Sequence, residues 1–116
     1  MLFIGISKEF SLKNEEQYNT IGNFWDELSI LYGMENLQGL GYKWKNGKIY
    51  YAIGLKNGVI NNSNFTIELP DDGWVTYEGN TDDLKTIYDE IYINGPLTYE
   101  IETFTLDGKC KIEYYR

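Results

Sequence analysis

Two glutamates placed two residues apart carry the most distinctive chemistry of this sequence. Glu100 and Glu102 lie within residues 95–104, which read GPLTYEIETF. The segment predicts a β-strand, in which residues two apart point to the same face. Glu is a poor strand residue, so two of them on one face require a reason. A carboxylate there could hold a cation beside aromatic rings, or act as a general base on a water molecule.

The composition excludes several other chemistries. The chain has no histidine and one cysteine, Cys110, which excludes a zinc site and a Cys-His or Ser-His catalytic group. No metal and no cofactor are therefore predicted. There are 18 acidic and 10 basic residues, and the net charge is −8. Such a charge is expected to repel nucleic acid and to favour cationic partners.

The first residues of the chain and the length of its apolar runs indicate where the protein is located. The opening residues, MLFIGISKEF, lack a basic region and read as a strand rather than a signal peptide. No apolar run has the length of a membrane helix. We therefore expect a cytoplasmic protein without membrane contact. Its 11 Tyr, 5 Phe and 3 Trp exceed what a core of this size needs, so some should line a surface or cavity.

The strands and helices that position the glutamates are predicted to occur in the same order twice along the chain. A strand near residues 2–6 precedes an amphipathic helix, whose stripe Tyr18, Ile21, Trp25, Leu28 and Tyr32 ends at Gly33. Two strands follow, joined by Asn46-Gly47, which favours a two-residue type I′ turn. After residue 64 come strand segments, a helix starting near Asn80 or Thr81, and two strands joined by Asp107-Gly108.

This recurrence predicts the fold class. The two turns lie 61 residues apart, and the same shift superimposes helix on helix. We predict a single α+β domain over residues 1–116, in which a strand-helix-strand-strand unit is duplicated. Repeat one covers about residues 1–56 and repeat two about residues 64–116. The antiparallel sheets should carry two helices on one side and a ligand cleft between the repeats.

Four segments of the chain resemble the GyrI-like domains of gyrase-inhibitory proteins and of bacterial transcription activators that sense drugs. The segments read IGNFWDEL, IYYAIG, IELPDDGWVTYEGNTDDLKTIYDEIY and GPLTYEIETF. The resemblance spans nearly the whole chain, and its middle block is the most specific part. It implies a stand-alone effector-binding domain whose central glutamate corresponds to Glu100. The family usually has a longer segment before this strand, whereas here Ile93-Asn94 leads directly into Gly95-Pro96.

Hairpin register predicts which face the glutamates occupy. A two-residue turn at Asp107-Gly108 would pair Glu102 with Glu113 and Glu100 with Tyr115. The alternate set, which includes Ile101, is more apolar and should pack on the helices. The carboxylates would then lie on the other face, for which exposure to solvent is the ordinary alternative.

The first hairpin favours a cleft over a solvent face. The same pairing places Gly39, Gly41 and Gly54 together, opposite a core set of Leu40, Tyr42 and Trp44 with their partners. The resemblance implies that the two repeats face each other across a pseudo-two-fold axis. Small residues on one sheet would then oppose carboxylates and an aromatic ring on the other, which describes a cleft with room for a ligand.

The predicted ligand-binding residues are two carboxylates and four aromatic residues. We expect the protein to bind lipophilic, cationic small molecules rather than to be an enzyme, because no nucleophile or cofactor motif accompanies the carboxylates. The candidate site residues are Glu100, Glu102, Tyr50, Trp74, Tyr115 and, at the rim or in the core, Trp25.

Two alternatives stay open. Some GyrI-like proteins hydrolyse electrophilic cyclopropane compounds, and by that resemblance Glu100 and Tyr115 would be the catalytic pair of a cofactor-independent hydrolase. A second alternative is an acidic module that binds a basic partner protein, such as a DNA-handling enzyme. The sequence does not specify the ligand or the oligomeric state.

Overall fold

One seven-stranded antiparallel sheet with two helices makes up the α+β fold of this protein. The structure is a computed structural model that describes all residues from Met1 to Arg116. The helices are α1 (Gln17–Tyr32) and α2 (Leu84–Tyr92). The strands are β1 (Leu2–Ser11), β2 (Leu37–Lys45), β3 (Lys48–Leu55), β4 (Phe65–Glu68), β5 (Val75–Asn80), β6 (Tyr99–Phe104) and β7 (Lys109–Tyr115).

The strand order is nearly symmetric. It runs β4-β1-β3-β2-β6-β7-β5, so β1-β3-β2 from one end corresponds to β5-β7-β6 from the other. The two halves meet where β2 pairs with β6, and there Leu40 lies opposite Ile101, 61 residues later in the chain. This order is compatible with the predicted duplication, which stays a prediction.

Both helices pack on the same face of the sheet. The stripe of α1 buries Trp25 and Leu28, and the helix ends, as predicted, at Gly33, whose φ is +83°. The shorter α2 buries Ile87, Tyr88 and Ile91 against the same core. Neither helix is long and apolar enough to cross a membrane.

Each face of the sheet has its own apolar cluster. The helix-side face contributes Tyr51, Ile53, Phe104 and Ile112 to the larger core. The opposite face carries a smaller cluster made of Phe3, Leu40, Ala52, Leu69 and Ile101. Both faces are therefore packed, and the sheet has no purely solvated side.

The register of the first hairpin differs from the prediction by one residue. Its turn is the expected one, because Asn46 and Gly47 have φ of 54° and 72° and Lys45 pairs with Lys48. A β-bulge at Lys43, with φ of 54°, then shifts the ladder, so that Gly41 pairs with Tyr51. Because one residue of slip reverses every side chain, Leu40 lies on the face away from the helices rather than in the helix-side core.

The register of the second hairpin is also shifted by one. Three residues, Leu106 to Gly108, form the loop between Thr105 and Lys109, in place of the predicted two-residue turn. Gly108 supplies the positive φ of +82° that such a loop needs at its third position. As a result Glu100 pairs with Tyr114 and Glu102 with Ile112. The predicted placement of the glutamates on the face away from the helices is therefore wrong.

Candidate functional site

A cavity of about 530 Å³ lies between the two helices and the sheet. The helices share no extended contact with each other, which leaves space above the central strands. Two carboxylates from β6, Glu100 and Glu102, line this cavity. We call it the acidic cavity. Its aromatic lining consists of Tyr18, Trp25, Trp44, Tyr51, Tyr88, Tyr92 and Phe104.

Both glutamates are buried although no basic group accompanies them. Glu100 is 4% exposed and Glu102 is 5% exposed. No lysine or arginine lines the cavity, and none of the ion pairs in the structure includes either carboxylate. Buried acidic side chains are rare unless they are paired. These two are therefore candidates for binding a group from outside the protein.

Tyrosine hydroxyls hold one oxygen of each carboxylate. The Tyr92 hydroxyl donates to Oε2 of Glu100 at 2.8 Å. The Tyr51 hydroxyl donates to Oε1 of Glu102 and itself accepts a hydrogen bond of 2.8 Å from Nε1 of Trp25. This network links β6 to β3, α1 and α2, so the carboxylates have fixed positions within the cavity.

Burial raises the pKa of both carboxylates. Desolvation raises the pKa of Glu100 well above its usual value of 4.5, the negative charge of Glu102 raises it further, and the Tyr92 hydrogen bond partly opposes the change. Desolvation also raises the pKa of Glu102, opposed by the hydroxyls of Tyr51 and Tyr88. The pair thus favours holding a proton when the cavity contains no cation.

Two glycines on β2 make room for this arrangement. Gly39 pairs with Glu102, and Gly41 pairs with Glu100. A Cβ atom at position 39 would lie 2.0 Å from the Tyr51 hydroxyl, and one at position 41 would lie 2.7 Å from Cγ of Glu100. The glycines are therefore needed because the functional side chains pass directly over them.

Three of the six predicted ligand-binding residues lie together in the cavity. Glu100 and Glu102 line it, and Trp25 forms part of its wall while belonging to the core. Trp25 also packs edge-on against Phe104, with 4.9 Å between ring centroids. Trp25 therefore occupies both of the positions predicted for it, because its ring is part of the core and also lines the cavity.

The other three predicted residues lie on the opposite face. Trp74 and Tyr115 pack together with Tyr99, and Tyr50 packs on Tyr42. None of them lines the acidic cavity. The reason is the one-residue shift in each hairpin, which moves the carboxylates of β6 and the glycines of β2 to the helix side while Tyr50 and Tyr115 keep the predicted face away from the helices.

Only weak sequence patterns indicate the aromatic residues that do line the cavity. Tyr88 and Tyr92 are four residues apart and stack, with 5.6 Å between ring centroids, and this spacing is readable from a helical pattern. The ring of Tyr51 lies in the core, but its hydroxyl reaches Glu102. Only the three-dimensional pairing shows that contact.

The cavity does not bring together a set of metal ligands. No group of three or more His, Cys, Asp or Glu side chains that could hold a metal ion occurs in the structure.

The chain matches no family model, no curated protein and no solved structure. The geometry of the site is therefore the basis for any function assigned to this protein.

Proposed function

We propose that this protein binds lipophilic organic cations in the acidic cavity. The observation that carries the proposal is the pair of buried carboxylates, Glu100 and Glu102, which have no basic partner in the chain. A buried carboxylate is costly when ionised alone and favourable when paired with a cation. A ligand cation is therefore the partner that this site lacks.

The walls of the cavity suit the apolar part of such a ligand. Thirteen of the 21 lining residues are hydrophobic, and the aromatic ones come from both helices and the sheet. Aromatic faces attract a cation by about 0.5–2 kcal/mol each, depending on desolvation. A volume of about 530 Å³ falls in the range that accommodates small organic molecules.

The resemblance to GyrI-like domains supports the same function. That family binds small molecules beside a central glutamate, which corresponds by motif to Glu100. The nearly symmetric strand order and the pairing of Leu40 with Ile101 support the duplicated strand-helix-strand-strand unit that the resemblance implies. The cavity lies over β2 and β6, where the two proposed repeats meet.

Fluorescence titration with a matched pair of compounds tests this function. The probes are 1-naphthylmethylammonium, a cation, and 1-naphthylmethanol, its neutral counterpart. Trp25 and Trp44 line the cavity and should report binding. We expect the cation to bind at least about tenfold more tightly than the alcohol, because only the cation compensates the buried carboxylates.

Two Glu→Gln variants locate the effect. Glu100→Gln should reduce cation affinity by about tenfold to a hundredfold. Glu113→Gln is the control, because Glu113 pairs with Ile101 and does not line the cavity. Equal binding of the cation and the alcohol, or equal loss in both variants, would contradict the proposal.

A hydrolase is the second candidate, favoured by the tyrosine-carboxylate contacts. Glu100, whose pKa is raised, accepts a hydrogen bond from Tyr92, not from the predicted Tyr115. An ionised Glu100 could take a proton from water while the resulting hydroxide attacks an electrophilic cyclopropane carbon. The ring C–C bond breaks, its electron pair goes to the substituent-stabilised carbon, and Glu100 returns the proton that it took from water to that carbon. Ring-opened product formed by the native protein but not by Glu100→Gln would support this candidate.

A further inference from the structure

The acidic cavity contains hydrogen-bond acceptors that the protein leaves without donors. Each carboxylate has one oxygen held by a tyrosine, whereas Oε1 of Glu100 and Oε2 of Glu102 accept no hydrogen bond, although the Tyr88 hydroxyl is near enough to Glu102 to lower the pKa of that carboxyl. Two further lining residues, Gln17 and Tyr88, have buried side-chain oxygens without any partner. These two are the only completely buried side-chain nitrogen or oxygen atoms in the structure that lack a partner, and the free carboxylate oxygens are not among the completely buried atoms.

Unpaired buried oxygens indicate what kind of cation fits. A buried acceptor without a donor costs about 1–3 kcal/mol, and more when it is charged. A quaternary ammonium or phosphonium ion supplies charge but has no N–H or O–H group. It would therefore leave the acceptors of Gln17 and of both carboxylates unsatisfied. A protonated amine or an amidinium supplies both the charge and the donors.

We propose that the acidic cavity selects cations that carry N–H donors, namely protonated amines or amidinium groups joined to an aromatic body, over quaternary cations. This inference rests on the proposed cation-binding function and narrows it to a chemical class. The Gln17 oxygen acts as a neutral acceptor beside the charged ones. Its position on the first turn of α1 places it on the helix wall of the cavity, apart from the β6 carboxylates.

Selection of this kind also agrees with the protonation of the site. In the absence of a ligand the raised pKa of Glu100 favours a bound proton. When a cation displaces that proton, its N–H groups can donate hydrogen bonds to the ionised carboxylate, whereas a quaternary cation offers no donor.

The test compares 1-naphthylmethylammonium with its N,N,N-trimethyl derivative, which has the same ring and charge but no N–H group. Calorimetric titration at pH 7.5 should give at least about tenfold tighter binding for the primary ammonium. Gln17→Met keeps the side-chain length but removes the acceptor, and should reduce this preference severalfold. Gln38→Met is the matched control, because Gln38 lies on β2 outside the cavity and should leave the preference unchanged.

The outcomes separate this inference from the function on which it rests. If the trimethyl derivative binds as tightly as the primary ammonium, selection for N–H donors is wrong and cation binding stands. An unchanged preference in Gln17→Met would also overturn the role of that oxygen. If neither cation binds and the native protein is folded, as shown by far-UV circular dichroism, the proposed function itself fails.

Discussion

The two faces of the central sheet are both rich in aromatic residues, yet they differ in how their polar groups are treated. On the helix side, Glu100 and Glu102 are buried beside an open cavity. On the opposite face, tyrosines and Trp74 pack on one another, and Trp74 satisfies its Nε1 with the Pro70 carbonyl oxygen at 2.7 Å. The helix-side face has buried oxygens without a hydrogen-bond partner, whereas the opposite face has no such atom among its buried side chains.

The glycines of β2 account for much of this difference. Gly39 and Gly41 present no side chain on the helix side, while Leu40 and Tyr42 on the same strand fill the opposite face. Side chains of Tyr51 and Glu100 occupy the space over the glycines. The comparison shows that the site depends on side chains missing from β2 as much as on those present on β6.

The largest expected effect is a dependence of stability on pH that only the helix-side carboxylates produce. Because the folded-state pKa of Glu100 is raised, the folded protein binds more protons than the unfolded chain above pH 4.5. The free energy of unfolding should therefore decrease as the pH rises from about 5 to 7, by up to about 1.4 kcal/mol per pH unit for one proton. Urea unfolding at fixed pH values measures this slope.

Glu→Gln variants on the two faces test whether the pH dependence of the free energy of unfolding comes from the cavity. Glu100→Gln should flatten it, while Glu113→Gln should retain it, because Glu113 lies among the residues of the other face. Glu102, whose pKa is also raised by burial, adds a slope of the same sign, so any slope that remains in Glu100→Gln should come from Glu102. The other groups with shifted pKa values titrate outside this range. The pKa of Tyr18 is raised to about 12 by burial, and the Met1 amino group has a raised pKa above 8.0. A native protein whose stability rises between pH 5 and 7 would contradict the buried, unpaired state of Glu100.

Much of the architecture could be predicted from local sequence signals. The helical stripe of α1 and its end at Gly33, the turn at Asn46-Gly47, and the α+β class are all confirmed. These features depend on short-range patterns, such as the spacing of apolar residues and the positive φ that Asn and Gly tolerate. The glutamates were also recognised from their type and spacing within one strand.

The faces could not be predicted, because each depended on a single-residue detail of the ladder. The bulge at Lys43 and the three-residue loop ending at Gly108 leave no distinct mark in a sequence that already contains Asn-Gly and Asp-Gly. Each shifts the strand register by one residue. Because successive side chains of a strand point to opposite faces, a shift of one residue moves every side chain of that strand to the other face. Tyr50, Trp74 and Tyr115 lie on the face predicted for them, away from the helices, but the carboxylates that they were expected to accompany lie on the helix side.

The next effect in size concerns the bare backbone of β2. Gly39→Ala would place a methyl group 2.0 Å from the Tyr51 hydroxyl and displace the donor to Glu102. We expect a loss of about 1–3 kcal/mol in the free energy of unfolding, which is typical of overpacking. Gly22→Ala is the control on α1, where no heavy atom lies within 4 Å of the added methyl. It should stabilise the helix by about 0.5–1 kcal/mol. Equal effects of the two variants would show that Tyr51 does not depend on the space at Gly39.

The smallest effect tests the hydroxyl that supports Glu100. Tyr92→Phe removes the donor to Oε2 of Glu100, and since that hydrogen bond lowers the pKa of Glu100, its loss raises the pKa further. A proton then competes more strongly with a ligand cation. Binding of 1-naphthylmethylammonium should weaken about threefold at pH 6, where the proton competes, and recover towards the native affinity by pH 8.

Tyr99→Phe provides the corresponding change on the opposite face. Tyr99 pairs with Tyr115 and stacks near Trp74, away from the cavity. Loss of the Tyr99 hydroxyl should leave the affinity for 1-naphthylmethylammonium unchanged at both pH values, because this hydroxyl does not contact either carboxylate. A loss in Tyr92→Phe that is equal at pH 6 and pH 8 would mean that Tyr92 acts through packing. The hydroxyl would then have no part in setting the charge of Glu100, and the two faces would differ in shape rather than in protonation.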